Sequence, residues 1–139
     1  MPATRSLLYA VPAETLYRAI VDYERYPEFL PMVRGARVCS RGERRAEVEL
    51  EVSLLGKRIA YVLDFEERPP NEVLWRLSRS GFLTENNGSW LLRPEGQGTR
   101  GTYTIEVAAK ILPRSVATGL VARELPKILE GFRKRVEER

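Results

Sequence analysis

Histidine is absent from this 139-residue chain. Without an imidazole there is no histidine general base, no Ser-His-Asp triad and no histidine metal ligand. Cysteine occurs once, as Cys39, which excludes an internal disulfide and leaves any zinc site to carboxylates almost alone. The role expected of Cys39 is that of a small buried hydrophobe. No apolar run approaches the roughly 20 residues of a membrane helix, and residues 1–15 lack the continuous apolar segment of a secretory signal. On that basis the sequence points to the cytoplasm. Lysine is scarce too, at four of the 23 cationic side chains.

What is present suits one folded domain over residues 1–139. A hydrophobic share of 43% against 30% charged is ordinary for a globular chain of this size, which is long enough to bury a core. The net charge of +4 is carried mainly by arginine, whose planar fork suits phosphates and carboxylates. The nearest thing to a cluster is Arg34, Arg37, Arg41, Arg44 and Arg45. These read either as a solvated face or, if continuous, as a footprint for RNA or the ribosome.

The periodicity changes twice along the chain. Residues 4–10 read as a first strand. Pro12-Ala13-Glu14 opens a helix, with proline in the first turn and an acid near the positive end of the dipole. Leu16 and Ile20 form its apolar stripe. Pro27 is expected to push Tyr26 out of helical geometry, ending the helix near Asp22 or Tyr23 and leaving a short second turn. Asp22 is expected to fix that helix end or to pair with a nearby arginine.

From residue 35 the period becomes two. Ala46, Val48, Leu50, Val52 and Leu54 alternate with polar residues, as in an antiparallel sheet wet on one face. Gly42-Glu43, Leu55-Gly56-Lys57, Arg68-Pro69-Pro70-Asn71 and Glu95-Gly96-Gln97-Gly98 read as turns. The strands between them carry Ile59, Tyr61, Leu63 and Phe65, then Val73, Trp75 and Leu77, then residues 84–92, then Tyr103, Ile105 and Val107. Gly88 is expected at a bulge or a close approach. Residues 114–138 return to helical spacing, with Gly119 and Pro126 predicting a kink or break near Leu125. Strands that follow one another without crossover helices make an antiparallel sheet with helices on one side, an α+β fold of six to seven strands with two short helices after the first.

This order, together with Val11-Pro12-Ala13-Glu14 and the run Asp22-Tyr23-Glu24-Arg25-Tyr26-Pro27-Glu28-Phe29-Leu30-Pro31, resembles the helix-grip fold of the START-like (SRPBCC) superfamily. The spacing of that run is similar to the polyketide cyclase/dehydrase branch, which includes coenzyme Q-binding proteins and ribosome-association toxins. Gly88-Ser89-Trp90 resembles the late-strand tryptophan motif of the branch. Two departures stand out. Met32 and Val33 stand where a tryptophan and a cysteine are usual, and Pro126 is atypical of the last helix. The resemblance implies a curved sheet wrapped around the long C-terminal helix, a cavity for a small hydrophobic molecule between them, and no cofactor or metal.

The candidate cavity walls are Tyr26, Phe29 and Leu30 from the second turn, and Tyr61, Leu63, Trp75, Trp90 and Tyr103 from the sheet. Leu120, Leu125, Ile128 and Phe132 come from the last helix. Taken singly, each is more simply read as core packing, and the cavity rests on the resemblance. Candidate polar groups are Arg76, Asn87, Asp64 and Tyr103, with Arg76 assigned to the outer face by its phase against Trp75. No catalytic residue is identified. Three readings compete: a non-catalytic carrier or sensor of a lipid, quinone or polyketide, a polyketide cyclase or aromatase, and a ribosome-associated factor. The apolar surface of the last helix leaves a homodimer contact open.

Overall fold

A computed structural model of the chain describes residues 2–54 and 56–138. Strand β1 (Ala3–Tyr9) leads into α1 (Ala13–Ile20) and a 3₁₀ helix (Tyr23–Glu28). Six strands follow, β2 (Val33–Gly42), β3 (Arg45–Leu54), β4 (Lys57–Arg68), β5 (Glu72–Ser80), β6 (Leu83–Glu95) and β7 (Gly98–Ala109). The chain closes with α2 (Arg114–Glu137). The seven strands form one curved antiparallel sheet in the order β1-β7-β6-β5-β4-β3-β2. Consecutive strands from β2 to β7 are neighbours, and β1 closes the far edge against β7.

The two-residue alternation read from the sequence becomes the sheet's inner and outer faces. Ala46, Val48 and Leu50 are buried, while Arg45 is exposed and Glu47 and Glu49 are half-buried. The inner face packs on α1, the 3₁₀ helix and the C-terminal half of α2, where Leu125, Leu129 and Phe132 are buried. The apolar stripe of α2 is therefore spent on the chain's own sheet, with Val116 left exposed. Tyr9 ties the two ends of the chain together by donating its hydroxyl to the Leu129 carbonyl at 3.0 Å. Gly131 lets α2 lie close to the 3₁₀ helix exit. A Cβ there would sit 2.7 Å from the Phe29 carbonyl oxygen.

Four sequence expectations need correction. Pro27 sits inside the 3₁₀ helix and leaves Tyr26 in helical geometry, although α1 does end close to Asp22, at Ile20, and the expected short second turn follows. Its missing donor is not needed, because Arg25 N–H closes on the Asp22 carbonyl and the Phe29 and Leu30 N–H groups close on that of Tyr26. Asp22 contributes that backbone carbonyl, but its side chain makes neither a cap hydrogen bond nor an ion pair among the described residues. Cys39 is half-buried, not a core residue. It falls where the β2–β3 register slips between Val38 and Ser40, so the bulge takes it out of the inward alternation.

Pro126, finally, neither breaks nor ends α2, which runs unbroken across it. The proline and Ala122, whose carbonyl loses its partner, are both exposed, so solvent replaces the missing bond while buried residues on either side hold the helix down. The expected turn at Leu55-Gly56-Lys57 falls partly outside the described residues, since Leu55 is not among them. Gly56 has a positive φ of 77° there, a left-handed conformation that suits glycine.

The ladder is unevenly filled. β6 and β7 pair over nearly their whole length, from Leu83↔Ala109 to Glu95↔Gly98. Between β5 and β6 the paired residues run only from Glu72↔Leu91 to Trp75↔Gly88. Gly88 supplies the close approach expected of it. A Cβ at this position would stand 2.6 Å from Trp75 Cζ2 and would also collide with the Thr104 carbonyl oxygen.

Candidate functional site

Between the inner face of the sheet and α2 lie two adjoining chambers of about 100 and about 120 Å³. The inner one is walled by Tyr26, Leu30, Leu63 and Phe65, with Trp90 and Phe132 behind them. The outer one reaches toward the open end of the sheet, past Ile59, Leu83, Val107 and Val121. Met32, Val52, Tyr61, Asn86, Tyr103 and Ile128 are among the residues that border both. Interlocked rings make the inner end rigid. Trp90 stands 5.3 Å from Phe132 and 5.2 Å from Tyr103, and Phe132 stands 5.6 Å from Tyr26. Such edge-on pairs add to the burial of their area.

One polar cluster faces both chambers. Asn86 is buried on β6, and its Oδ1 accepts the Trp75 indole N–H at 3.1 Å. Its amide group also bonds to Tyr61, which partly offsets the effect of burial on that phenol. Desolvation nonetheless pushes Tyr61 up to about 12. Burial, helped by the neighbouring Tyr61, raises Tyr103 as well. Near neutral pH the cluster therefore offers uncharged donors and acceptors in an apolar wall.

These shifts carry a consequence for alkaline stability. Tyr61, and Tyr17 at about 12, keep their protons in the folded state beyond the ordinary value of 10.0 at which the unfolded chain loses them. Above pH 10 the unfolded state binds fewer protons, so stability falls as pH rises. The expected result is a urea midpoint that changes little between about pH 6 and 9, because no histidine titrates, and drops progressively as the pH climbs through about 12. A midpoint that holds steady to that pH would contradict the burial of these phenols.

Nine of the twelve residues singled out as candidate walls border a chamber. They are Tyr26, Leu30, Tyr61, Leu63 and Trp75, then Trp90, Tyr103, Ile128 and Phe132. Phe29 and Leu125 do not line either chamber. Phe29 packs behind the wall, 4.9 Å from Phe132, with the Arg135 guanidinium 5.0 Å from its ring centroid. Leu125 is closed into the core, and Leu120 borders a surface groove. Asp64 and Asn87, considered as inward polar groups, turn outward. Asp64 pairs across the ladder with Arg76, and all three border a groove on the outer face. Asn86, one residue away, is the inward one. Its even spacing from Trp90 along β6 is the signal that identifies it.

The five arginines do not form one surface. Arg37 pairs with Glu49 at 2.9 Å and Arg41 with Glu67 at 3.3 Å. Arg45 borders the outer groove beside Asp64 and Glu66. Arg44 occupies the β2–β3 turn with a positive φ of 58°, while Arg34 lies at the opposite end of β2.

The family model for polyketide cyclase/dehydrase and lipid transport matches residues 9–133. The chain belongs to this family. Family and fold together support hydrophobic-ligand binding or cyclase-type function. Among curated relatives, the ribosome association toxin RatA of Vibrio cholerae is 29% identical over 91 residues, which are 66% of this chain and 62% of that protein. The match thus spans under two thirds of the relative's length. Among solved structures, a START superfamily protein from Mycobacterium smegmatis has a TM-score of 0.91 at 20% identity, covering 99% of this chain and 97% of the other. The Zhui aromatase/cyclase from Streptomyces sp. R1128 has a TM-score of 0.91 at 15% identity, covering 100% and 94%. At these identities the likeness concerns the fold. No helix among the described residues is long and apolar enough to cross a membrane.

Proposed function

We propose that this chain binds or carries a small hydrophobic molecule, of the lipid, quinone or polyketide kind, in the paired chambers between sheet and α2. The observation that carries the reading is a mostly apolar lining with a neutral cluster, Asn86, Tyr61 and Tyr103, where the chambers meet, and with Ser53 and Glu124 where the outer chamber adjoins the surface groove. Small-molecule sites have this composition, mostly apolar with a few oriented polar groups. A cyclase calls for an acid and a base converging on the substrate. The described lining of the inner chamber contains neither a carboxylate nor a cation, which favours binding over catalysis.

Each chamber is smaller than the roughly 300–1,000 Å³ of a typical ligand site. A ligand of that size occupies both at once, by displacing side chains that border both. Met32 and Ile128 are such residues, and methionine repacks at little cost.

Native mass spectrometry followed by solvent extraction tests the proposal, with titration of the neutral dye Nile red as the quantitative arm. The expected result is one bound molecule per chain in the wild type. Ile128→Trp, which fills the shared wall, should abolish binding while lowering stability by about 1–3 kcal/mol. Undiminished binding by a folded Ile128→Trp variant would place the ligand elsewhere and end this reading.

A ribosome-associated role is the second reading, and the similarity to RatA is the observation that favours it. Co-sedimentation with ribosomes at two salt concentrations separates it from the first. Binding that collapses at the higher salt supports an electrostatic contact with RNA, and no binding at either removes the reading.

A further inference from the structure

The outer chamber shares Met32, Ser53, Leu54 and Glu124 with a surface groove of about 400 Å³ between the β2 and β3 ends and α2. The charge of this groove is one-sided. Arg34, Arg123 and Lys127 border it against a single carboxylate, Glu124. Lys127 engages Glu124 at 3.4 Å, and neither Arg34 nor Arg123 has an ion-pair partner among the described residues. Most arginines elsewhere on the molecule do, as Arg37, Arg41, Arg100 and Arg133 show. The outer-face groove, by contrast, sets Arg45 and Arg76 against three carboxylates, Asp64, Glu66 and Glu106. An apolar path thus begins beside two uncommitted guanidinium groups.

We infer that the ligand is an anionic amphiphile whose carboxylate or phosphate lies in this groove against Arg34 and Arg123, with its apolar body in the chambers. This rests on the binding reading above and adds the chemistry of the head. Guanidinium forks match either anion bidentately, whereas an uncharged quinone or alcohol offers them only a weaker, neutral acceptor. The path has a definite length. Of these two chambers, Ile59 borders only the outer and Phe65 only the inner, and the six residue steps along β4 from one to the other span about 20 Å. The body is therefore elongated, an acyl chain or a string of fused rings. The groove and its cations belong to the entrance of a single molecule.

The test compares dodecanoate and dodecyl phosphate with dodecanol, each below its micelle concentration, by isothermal titration of the wild type, Arg34→Gln/Arg123→Gln and Ile128→Trp. The anions should bind the wild type about tenfold or more tighter than the alcohol. In the double variant that ratio should fall to about twofold or less, and Arg34→Lys/Arg123→Lys should recover part of it. Equal affinity of anion and alcohol for the wild type, or an anion preference that survives the double variant, overturns the inference and leaves the binding reading standing. No binding of any of the three, or binding indifferent to Ile128→Trp, overturns both. Sedimentation with phosphatidylglycerol vesicles distinguishes the source of the head. Vesicle binding lost in the double variant, without any monomer binding, assigns the arginines to a membrane surface and overturns the inference as stated.

Discussion

Replacing Trp90 with alanine is expected to lower the unfolding free energy by about 3–5 kcal/mol, the cost of a large-to-small change in a packed core. The side chain is 2% exposed and joins four structural parts. Its ring lies 6.3 Å from Tyr9 of β1, 5.2 Å from Tyr103 of β7 and 5.3 Å from Phe132 of α2. It also lies over Gly101, where a Cβ would stand 3.1 Å from its Cζ3. None of these neighbours is free to collapse into the vacated space, because each is held by another ring or by the ladder. Urea denaturation followed by circular dichroism measures the loss. A change below about 1 kcal/mol would mean that the four parts are not held through this residue.

Gly88→Ala is expected to cost about 1–3 kcal/mol through overpacking, although it adds a single methyl group to a strand. The obstruction on one side is the Thr104 carbonyl, which is backbone and fixed by the β6–β7 ladder. On the other side is the Trp75 ring at 2.6 Å, and moving it strains the hydrogen bond to Asn86. Gly42→Ala is the control, since nothing lies within 4 Å of its added Cβ. It should change stability by no more than about 0.5 kcal/mol. Equal urea midpoints for the two variants would show that the close approach at Gly88 is not a constraint.

The sheet was legible because its inner and outer faces meet different solvents, and a period of two records that difference directly. Ala46, Val48 and Leu50, with Trp75 and Ile105 on later strands, all fall inward as their alternation requires. Most of the chamber walls were legible for the same reason, since a residue that faces the helix lines whatever space is left there. Failures came where a local rule met a longer-range one. Cys39 was assigned by its chemistry, but a bulge in an edge strand decided its burial. Asn87 and Asp64 were considered for their polarity, although parity with Trp90 and Phe65 places Asn86 inside and these two outside. Pro126 has poor helix propensity, yet tertiary burial on both sides of it outweighs one lost hydrogen bond. Phe29 and Leu125 depend on how α2 is rotated, which no single-element pattern contains. The size of the chambers depends on the fit of many side chains at once, and periodicity carries no record of volume.

The short run of paired residues between β5 and β6 makes the sheet behave as two plates joined by a narrow weld. One plate is β2 to β5, and the other is β6, β7 and β1. Within each plate, bending must break ladders that run most of the length of the strands despite their bulges. Beyond Trp75↔Gly88 no described pair joins the plates along Arg76–Ser80 and Leu83–Asn87, and the Trp75–Asn86 bond is a side-chain stitch across that opening. Elastic compliance is thus concentrated on a line that passes through the polar cluster of the chambers. A molecule too large for the resting space meets the least resistance there, and the same two side chains that would touch it register the strain.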